Sequence, residues 1–158
     1  MRGLFTNDTY LSKDIRMYDQ DSFYEAFEKD LSVAQSSVII ESPFITTKRI
    51  NSLLPVLTRL TNRGVGVTIN TRNPIDHDLE YKTQALESIE ILQSIGVEVL
   101  YTVKHHRKIA VIDNRISWNG SLNILSQNDS CEIMWRLDSS EAATRLLRFI
   151  NVKAYTRR

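Results

Sequence analysis

His106-Arg107-Lys108-Ile109-Ala110-Val111-Ile112-Asp113, followed further on by Gly120-Ser121-Leu122-Asn123, is the stretch on which the reading of this chain turns. His106 and Lys108 are two apart, so on a strand they point to one face, and Ser121 and Asn123 share that spacing. Asp113-Asn114-Arg115, between the two segments, suits a tight turn. A turn centred on Asp113-Asn114 sets His106 opposite Ser121, whereas one centred on Asn114-Arg115 sets it opposite Asn123. Either register gathers an imidazole, an ammonium, a hydroxyl and an amide into one patch. Such a patch suits a phosphodiester. Lys108 offsets phosphate charge, and Ser121 and Asn123 donate hydrogen bonds to its oxygens. Gly120 would let backbone and phosphate approach closely.

The pattern HxK, four residues, Asp, six residues, GSxN resembles the HKD signature of the phospholipase D superfamily, with no motif residue replaced. That superfamily includes lipid hydrolases, small bacterial nucleases and the nuclease domains of some restriction enzymes. The resemblance implies an α/β fold: a layered α-β-α domain with a central mixed β-sheet, spanning 1–158, with 1–20 as an N-terminal arm. It implies His106 as nucleophile, a neutral imidazole that attacks phosphorus to give a phosphohistidine, which water then resolves. Lys108, Ser121 and Asn123 carry over as phosphate ligands. Asp113 and Gly120 stand behind them, with Asp113 turned away from the phosphate. Glu132 resembles the acidic residue that, in small nucleases of the family, orients the histidine through a hydrogen bond. A carboxylate behind an imidazole fixes its tautomer and supports its charged form. His105 points to the other strand face and reads as a bystander, and His77 as a solvent-exposed histidine.

The chain holds one copy of the motif. The reaction needs two histidines, one to attack and one to protonate the leaving oxygen. Larger family members carry two copies in one chain. Here a homodimer with a two-fold axis through the site would supply the second. No His, Cys and Asp residues stand at metal-ligand spacing and Lys108 neutralises charge, so neither a metal nor another cofactor is expected.

A chain of 158 residues, 42% hydrophobic and 25% charged, suits one globular domain with a real core. The net charge of +1 argues for no particular partner. Basic residues are uneven, however: Lys104, Arg107 and Lys108 surround the histidines, and Arg145, Arg148, Lys153, Arg157 and Arg158 lie towards the C-terminus. Cys131 is the single cysteine, which precludes an internal disulfide and fits a reducing compartment. The N-terminus lacks an apolar run of signal-peptide length, and no later run could span a bilayer. A cytoplasmic protein is expected, or a domain of a larger restriction, defence or helicase-linked one.

Three functions compete: a metal-independent nuclease, a phospholipase-type lipid phosphodiesterase, and a non-catalytic nucleic-acid-binding module. Small size, a single motif and basic residues near His106 favour a nuclease acting on DNA more than RNA. A lipid enzyme would be expected to carry an apolar rim or interfacial helix. A non-catalytic module would be expected to have lost a motif residue.

The rest of the chain alternates between helix and strand patterns. Ser22-Phe23-Tyr24-Glu25 reads as a capping box opening a helix to about Ala34, with Phe23, Ala26, Phe27 and Leu31 inward. Val38–Ile40 reads as a buried strand that Pro43 ends, and Phe44 as a core aromatic rather than a residue of the site mouth. Ile50, Leu53, Leu54, Leu57 and Leu60 recur at helical spacing. Pro55 fits the first turn of that helix if Ser52 caps it, and otherwise implies a kink. Arg63-Gly64 closes the helix. A strand over 65–71, a turn at Asn73-Pro74, and a helix over 79–95 with Ala85, Leu86, Ile89 and Leu92 inward follow. A strand over 97–101 delivers the chain to the motif. Beyond it come a polar loop (124–130), a strand (131–137) and a closing helix from Ser139 to about Tyr155. The alternation argues for an α/β layered domain.

Overall fold

Strands and helices alternate along residues 14–150, the part of the chain that the computed structural model describes. In chain order they are β1 (Ile15–Asp19), α1 (Phe23–Ser32), β2 (Ser37–Glu41), α2 (Thr47–Asn62), β3 (Gly66–Arg72), α3 (Leu79–Ser94), β4 (Glu98–Thr102), β5 (Ile109–Ile112), β6 (Ile116–Gly120), β7 (Ile133–Asp138) and α4 (Ser140–Ile150). A short 3-10 turn, Pro74–Asp76, links β3 to α3. The strands form one mixed sheet in the order β1-β7-β6-β5-β2-β3-β4. β2, β3 and β4 are parallel, while β5, β6, β7 and β1 extend the sheet antiparallel on the other side. Of the residues expected in an N-terminal arm, 1–13 lie outside the described part, and 14–20 hold the edge strand β1. Residues 151–155 of the expected closing helix also lie outside it, with Lys153, Arg157 and Arg158.

The two faces of the sheet are covered unequally. Phe23, Phe27 and Leu31 of α1, Leu53 and Leu57 of α2 and Ile89 and Leu92 of α3 pack with Val38, Ile40, Ile69, Ala110 and Trp118 in one large core. Burying an aromatic or aliphatic side chain there contributes about 1.5–3 kcal/mol, so this layer carries most of the stability. The opposite face has a small cluster, in which Ala143 and Ile150 of α4 meet Leu100, Ile109 and Val111. β2 and β5 are buried on both faces, which is why both read as apolar runs without alternation.

Several local expectations give way to tertiary structure. Ser22 does not close a capping box: its hydroxyl donates to Asp19 at 2.7 Å, and Glu25 pairs with Lys29 at 2.8 Å. Thr46, not Ser52, caps α2, accepting from the Arg49 amide at 3.4 Å. Pro55 is therefore inside the helix. It sits on the exposed side, as does Asn51, whose carbonyl has no amide at the proline to accept from. On α3 the inward position is taken by Ser88, and Leu86 is 49% exposed. Ile124 and Leu125 begin the loop expected to be polar, yet both are in the core.

The hairpin of β5 and β6 departs from both expected registers. Asp113 and Asn114 have φ of +53° and +51°, the two-residue centre of a type I′ turn. The ladder then pairs Ile112 with Ile116, leaving Arg115 as an extra residue. The register slips by one, so Ala110 faces Trp118 and Ile109 faces Asn119. The turn is pinned from outside the hairpin. The Asp113 carboxylate accepts from the backbone amides of Gln35, Ser36 and Ser37 at 2.8–3.1 Å and from the Ser36 hydroxyl at 3.0 Å. Its own amide donates to the Ser37 carbonyl at 2.8 Å.

Burial acts to raise the Asp113 pKa, but the hydrogen bonds from Ser36, Gln35 and Ser37 outweigh it and hold the carboxyl below the usual range. A depressed carboxyl stabilises the fold at neutral pH and loses that contribution as pH falls through the acidic range. Asp113→Ala is expected to cost about 3 kcal/mol in urea unfolding at pH 7, since hydrogen bonds to a charged acceptor contribute about 1.5–3 kcal/mol each and are not additive. Asp113→Asn, which keeps one acceptor oxygen and tolerates positive φ, should lose about half as much.

Candidate active site

The carboxyl ends of β2, β3, β4 and β6 and the starts of β5 and β7 meet at one end of the sheet. In open α/β sheets this is where ligands bind, because loops diverge there over a rigid edge. The motif residues are delivered to that end by loops, not strands. His106 and Lys108 lie in the extended segment before β5, and Ser121 and Asn123 lie beyond the end of β6. The strand placement expected for them is corrected accordingly. The Ile109–Asn119 pairing sets Lys108 across from Gly120.

His106 is exposed, and Lys108 is half-buried beside it. The Lys108 Nζ lies 3.2 Å from His106 Nδ1 and 3.5 Å from Nε2, and it donates to the His106 carbonyl at 2.6 Å. The ammonium can thus donate to a ring nitrogen that lacks a proton. Burial pushes the Lys108 pKa down, the Glu132 carboxylate opposes this, and the Arg72 charge adds to the lowering, leaving it below the usual lysine value. Ser121 is anchored to β7: its amide donates to the Ile133 carbonyl at 3.0 Å, and its hydroxyl oxygen accepts from the Ile133 amide at 3.1 Å. The hydroxyl proton stays available for an incoming oxygen. His106, Lys108, Gly120 and Ser121 line one shallow depression. Asn123 opens instead onto a neighbouring cleft, and its carbonyl accepts from the Ser126 and Gln127 amides at 3.1 and 2.8 Å.

Three expectations about supporting residues change. Glu132 does not hydrogen-bond His106; its carboxylate accepts from the Ser130 hydroxyl at 2.7 Å and acts on Lys108 through its charge. Gly120 lines the depression and is also closely overlain by β7. A Cβ there would overlap the Ile133 carbonyl oxygen and lie 2.9 Å from Met134 Cα. His77 is half-buried and packs on Phe44 with ring centres 5.1 Å apart, so neither is what the sequence suggested: Phe44 lines the cleft next to the site.

Beneath the motif runs a polar seam that motif reasoning missed. Glu41, at the end of β2, is fully buried and binds the Arg107 guanidinium through both carboxylate oxygens. Asn70 donates to Glu41 at 3.0 Å and accepts from the Thr102 hydroxyl at 3.0 Å. His105, far from a bystander, is buried 3.7 Å from Glu41, and its Nδ1 accepts from the Arg107 amide. Burial, with the charges of Arg107, Lys108 and Arg72, pushes the His105 pKa down to about 4. Glu41, already engaged by Arg107 and Asn70, does not reverse that. Arg72 donates to the His105 carbonyl at 3.0 and 3.2 Å. The available signal was a glutamate closing the apolar run Val38-Ile39-Ile40, where a buried charge demands a partner. Among the described residues, no three His, Cys, Asp or Glu side chains come together so as to hold a metal ion. Nor is any helix among them long and apolar enough to cross a membrane.

Comparison with known proteins adds the family. Residues 27–152 match the family model described as cardiolipin synthase, PLD-like domain. An uncharacterised protein of Streptococcus mutans is 27% identical over 120 residues, and the chain spans about a quarter of that protein's length. Among solved structures, the phospholipase D family member Nuc from Salmonella typhimurium superposes with a TM-score of 0.68 at 14% identity, over 85% of this chain and 90% of that one. The archaeal chromatin protein TrmBL2, whose structure shows a novel mode of DNA binding, superposes with a TM-score of 0.60 at 13% identity, over 89% of this chain and 52% of that one. At such identities these likenesses establish the fold.

Two outcomes test the site's scaffold. Gly120→Ala should cost about 1–3 kcal/mol in thermal or urea unfolding, because β6 and β7 must separate to admit the methyl group. A histidine with a lowered folded pKa binds its proton only on unfolding, so it contributes stability above pH 6.5 that is lost as pH falls towards about 4. His105→Gln should flatten that part of the stability–pH curve in urea titrations.

Proposed function

The chain belongs to the phospholipase D-like domain family, and we propose that it is a metal-independent nuclease that cleaves DNA, or RNA, at a site shared by two copies of the chain. The observation that carries this is the Lys108 ammonium 3.2 Å from a ring nitrogen of the exposed His106, with the Ser121 hydroxyl in the same depression. His106 attacks phosphorus, forming a P–N bond as the P–O bond to the leaving group breaks. The partner subunit's His106 gives its proton to the leaving oxygen. That imidazole then takes a proton from water, which attacks phosphorus, breaks the P–N bond and frees His106. Lys108 and the Ser121 hydroxyl, joined by the Asn123 amide from the neighbouring cleft, neutralise charge on the equatorial oxygens. Glu132 holds Lys108 in its charged form.

A second copy fits the outer face of the sheet. Met134 faces the large core, so Ile133 and Trp135 of β7 point the other way, where they are 56% and 40% exposed. Met17 of β1, paired with Trp135, is 64% exposed. This apolar stripe begins where β7 holds Ser121, adjoining the depression that a partner must complete.

Incubation of the purified chain with labelled single- and double-stranded DNA and RNA, with and without EDTA, tests the reading. Cleavage is expected to survive chelation, and His106→Ala should lower kcat by at least about a thousandfold. A mixed dimer of wild-type and His106→Ala chains should lose nearly all turnover. Full activity in a monomer, by light scattering at the assay concentration, would contradict the shared site.

A further inference from the structure

Beside the motif depression lies a cleft of about 520 Å³ that the phosphodiester reaction leaves unused. Phe44 and Tyr81 stand on one side, with Gln84, and Asn123 and Gln127 on the other. We propose that this cleft holds an unpaired nucleobase of the nucleotide whose phosphate sits at Lys108, so that the substrate is a single strand. This rests on the nuclease reading.

Three connections tie the cleft to the phosphate site. Asn123 belongs to the motif and lines the cleft. Ser130, on the cleft wall, donates to Glu132, whose charge is felt at Lys108. Arg72 lies 5.3 Å from the centre of the Phe44 ring, and its charge also reaches Lys108.

The cleft has the chemistry of a base site. Phe44, His77 and Tyr81 form an aromatic cluster with centres 5.1–6.3 Å apart, tilted by 34–55° rather than stacked on one another. Tyr81 is 42% exposed, so part of its ring is open to an incoming π-face. It is held in place by α3, whose capping Asp78 accepts from the Tyr81 amide at 3.1 Å. Gln84 brings a side-chain amide, which offers both a donor and an acceptor to a base edge, while the buried Gln127 amide is tied to Ser130 and shapes the wall. Glu80 and Asp129 also line the cleft. Lys48 and Arg49 on the same lining balance these two carboxylates, so the cleft has no net charge to demand an anion and accepts a neutral base. A base in a duplex is stacked and paired, and would have to flip out to enter the cleft, at an unstacking and unpairing cost that a single strand does not bear.

The full-length His106→Ala chain, which binds without turning over, allows direct measurement by fluorescence anisotropy. The ligands are a labelled single-stranded deoxyadenylate 12-mer, the same length of abasic tetrahydrofuran backbone, and a duplex of the 12-mer. Tyr81→Ala is expected to weaken the base-bearing strand about tenfold, the scale of one base–aromatic stack. The abasic strand should change less than about twofold, and Tyr81→Phe should restore binding. Duplex should bind no better than the abasic strand. Equal losses on both single strands, or none on either, would overturn the base site while leaving the nuclease reading standing. Competition by phosphatidylglycerol vesicles that Tyr81→Ala abolishes would assign the cleft to lipid instead. Failure of every nucleic acid to bind would overturn both readings.

Discussion

A single carboxylate ties the motif to the rest of the sheet. Asp113 sits in the left-handed region at the tip of the β5–β6 hairpin and collects three consecutive backbone amides from the chain entering β2. Those amides would otherwise be unpaired donors at the start of the strand, so the turn and the strand satisfy each other. The link fixes β5 against β2 and leaves Arg115 as the odd residue in the turn. Every motif position at the far end of the hairpin inherits that register. A slip of one residue would turn Trp118, which is fully buried, out of the core. The aspartate of the motif therefore acts on geometry from the end of the hairpin remote from His106.

At the near end the scaffold is electrostatic. Glu41 is fully buried, a placement that is strongly unfavourable unless its charge is matched. Arg107 supplies the match with a two-pronged contact, Asn70 adds a neutral donor, and His105 fills the remaining space without a charge of its own at neutral pH. His105 and Arg107 flank His106, and both are anchored inward, so the alternation of the extended segment throws His106 outward. In the proposed reaction, pre-positioning of this kind would lower the entropic barrier to attack, because the imidazole would not have to be ordered by the substrate. Lys108 is held on the same side by the His106 carbonyl and by the charge of Glu132.

The motif and the order of elements were legible because they depend on residue type and local period. Details set by tertiary contacts were not. The extra residue at Arg115 has no signature beyond a turn-compatible triplet, and it moved every cross-strand partner by one position. That β7 passes over Gly120 has no local signature either. His105 and Glu41 are far apart in sequence, and only the antiparallel pairing of β2 with β5 brings them together. Phe44 and His77 are both half-buried against each other, a packing between irregular segments that leaves no period to read. Ser22 had a better partner in Asp19 than the amide a capping box would offer. Leu86 is exposed and Ser88 lies inward on α3, a helix whose apolar residues spread too widely round its circumference to define one face.

The proposed reaction runs through attack by His106 and a covalent phosphohistidine. The stereochemical course at phosphorus tests that claim most directly. A substrate with a chiral phosphorothioate at the scissile position, cleaved in isotopically labelled water, reports whether displacement occurs once or twice. Two successive in-line displacements, first by His106 and then by water, predict net retention of configuration. Net inversion, the result of direct attack by water, would contradict the account.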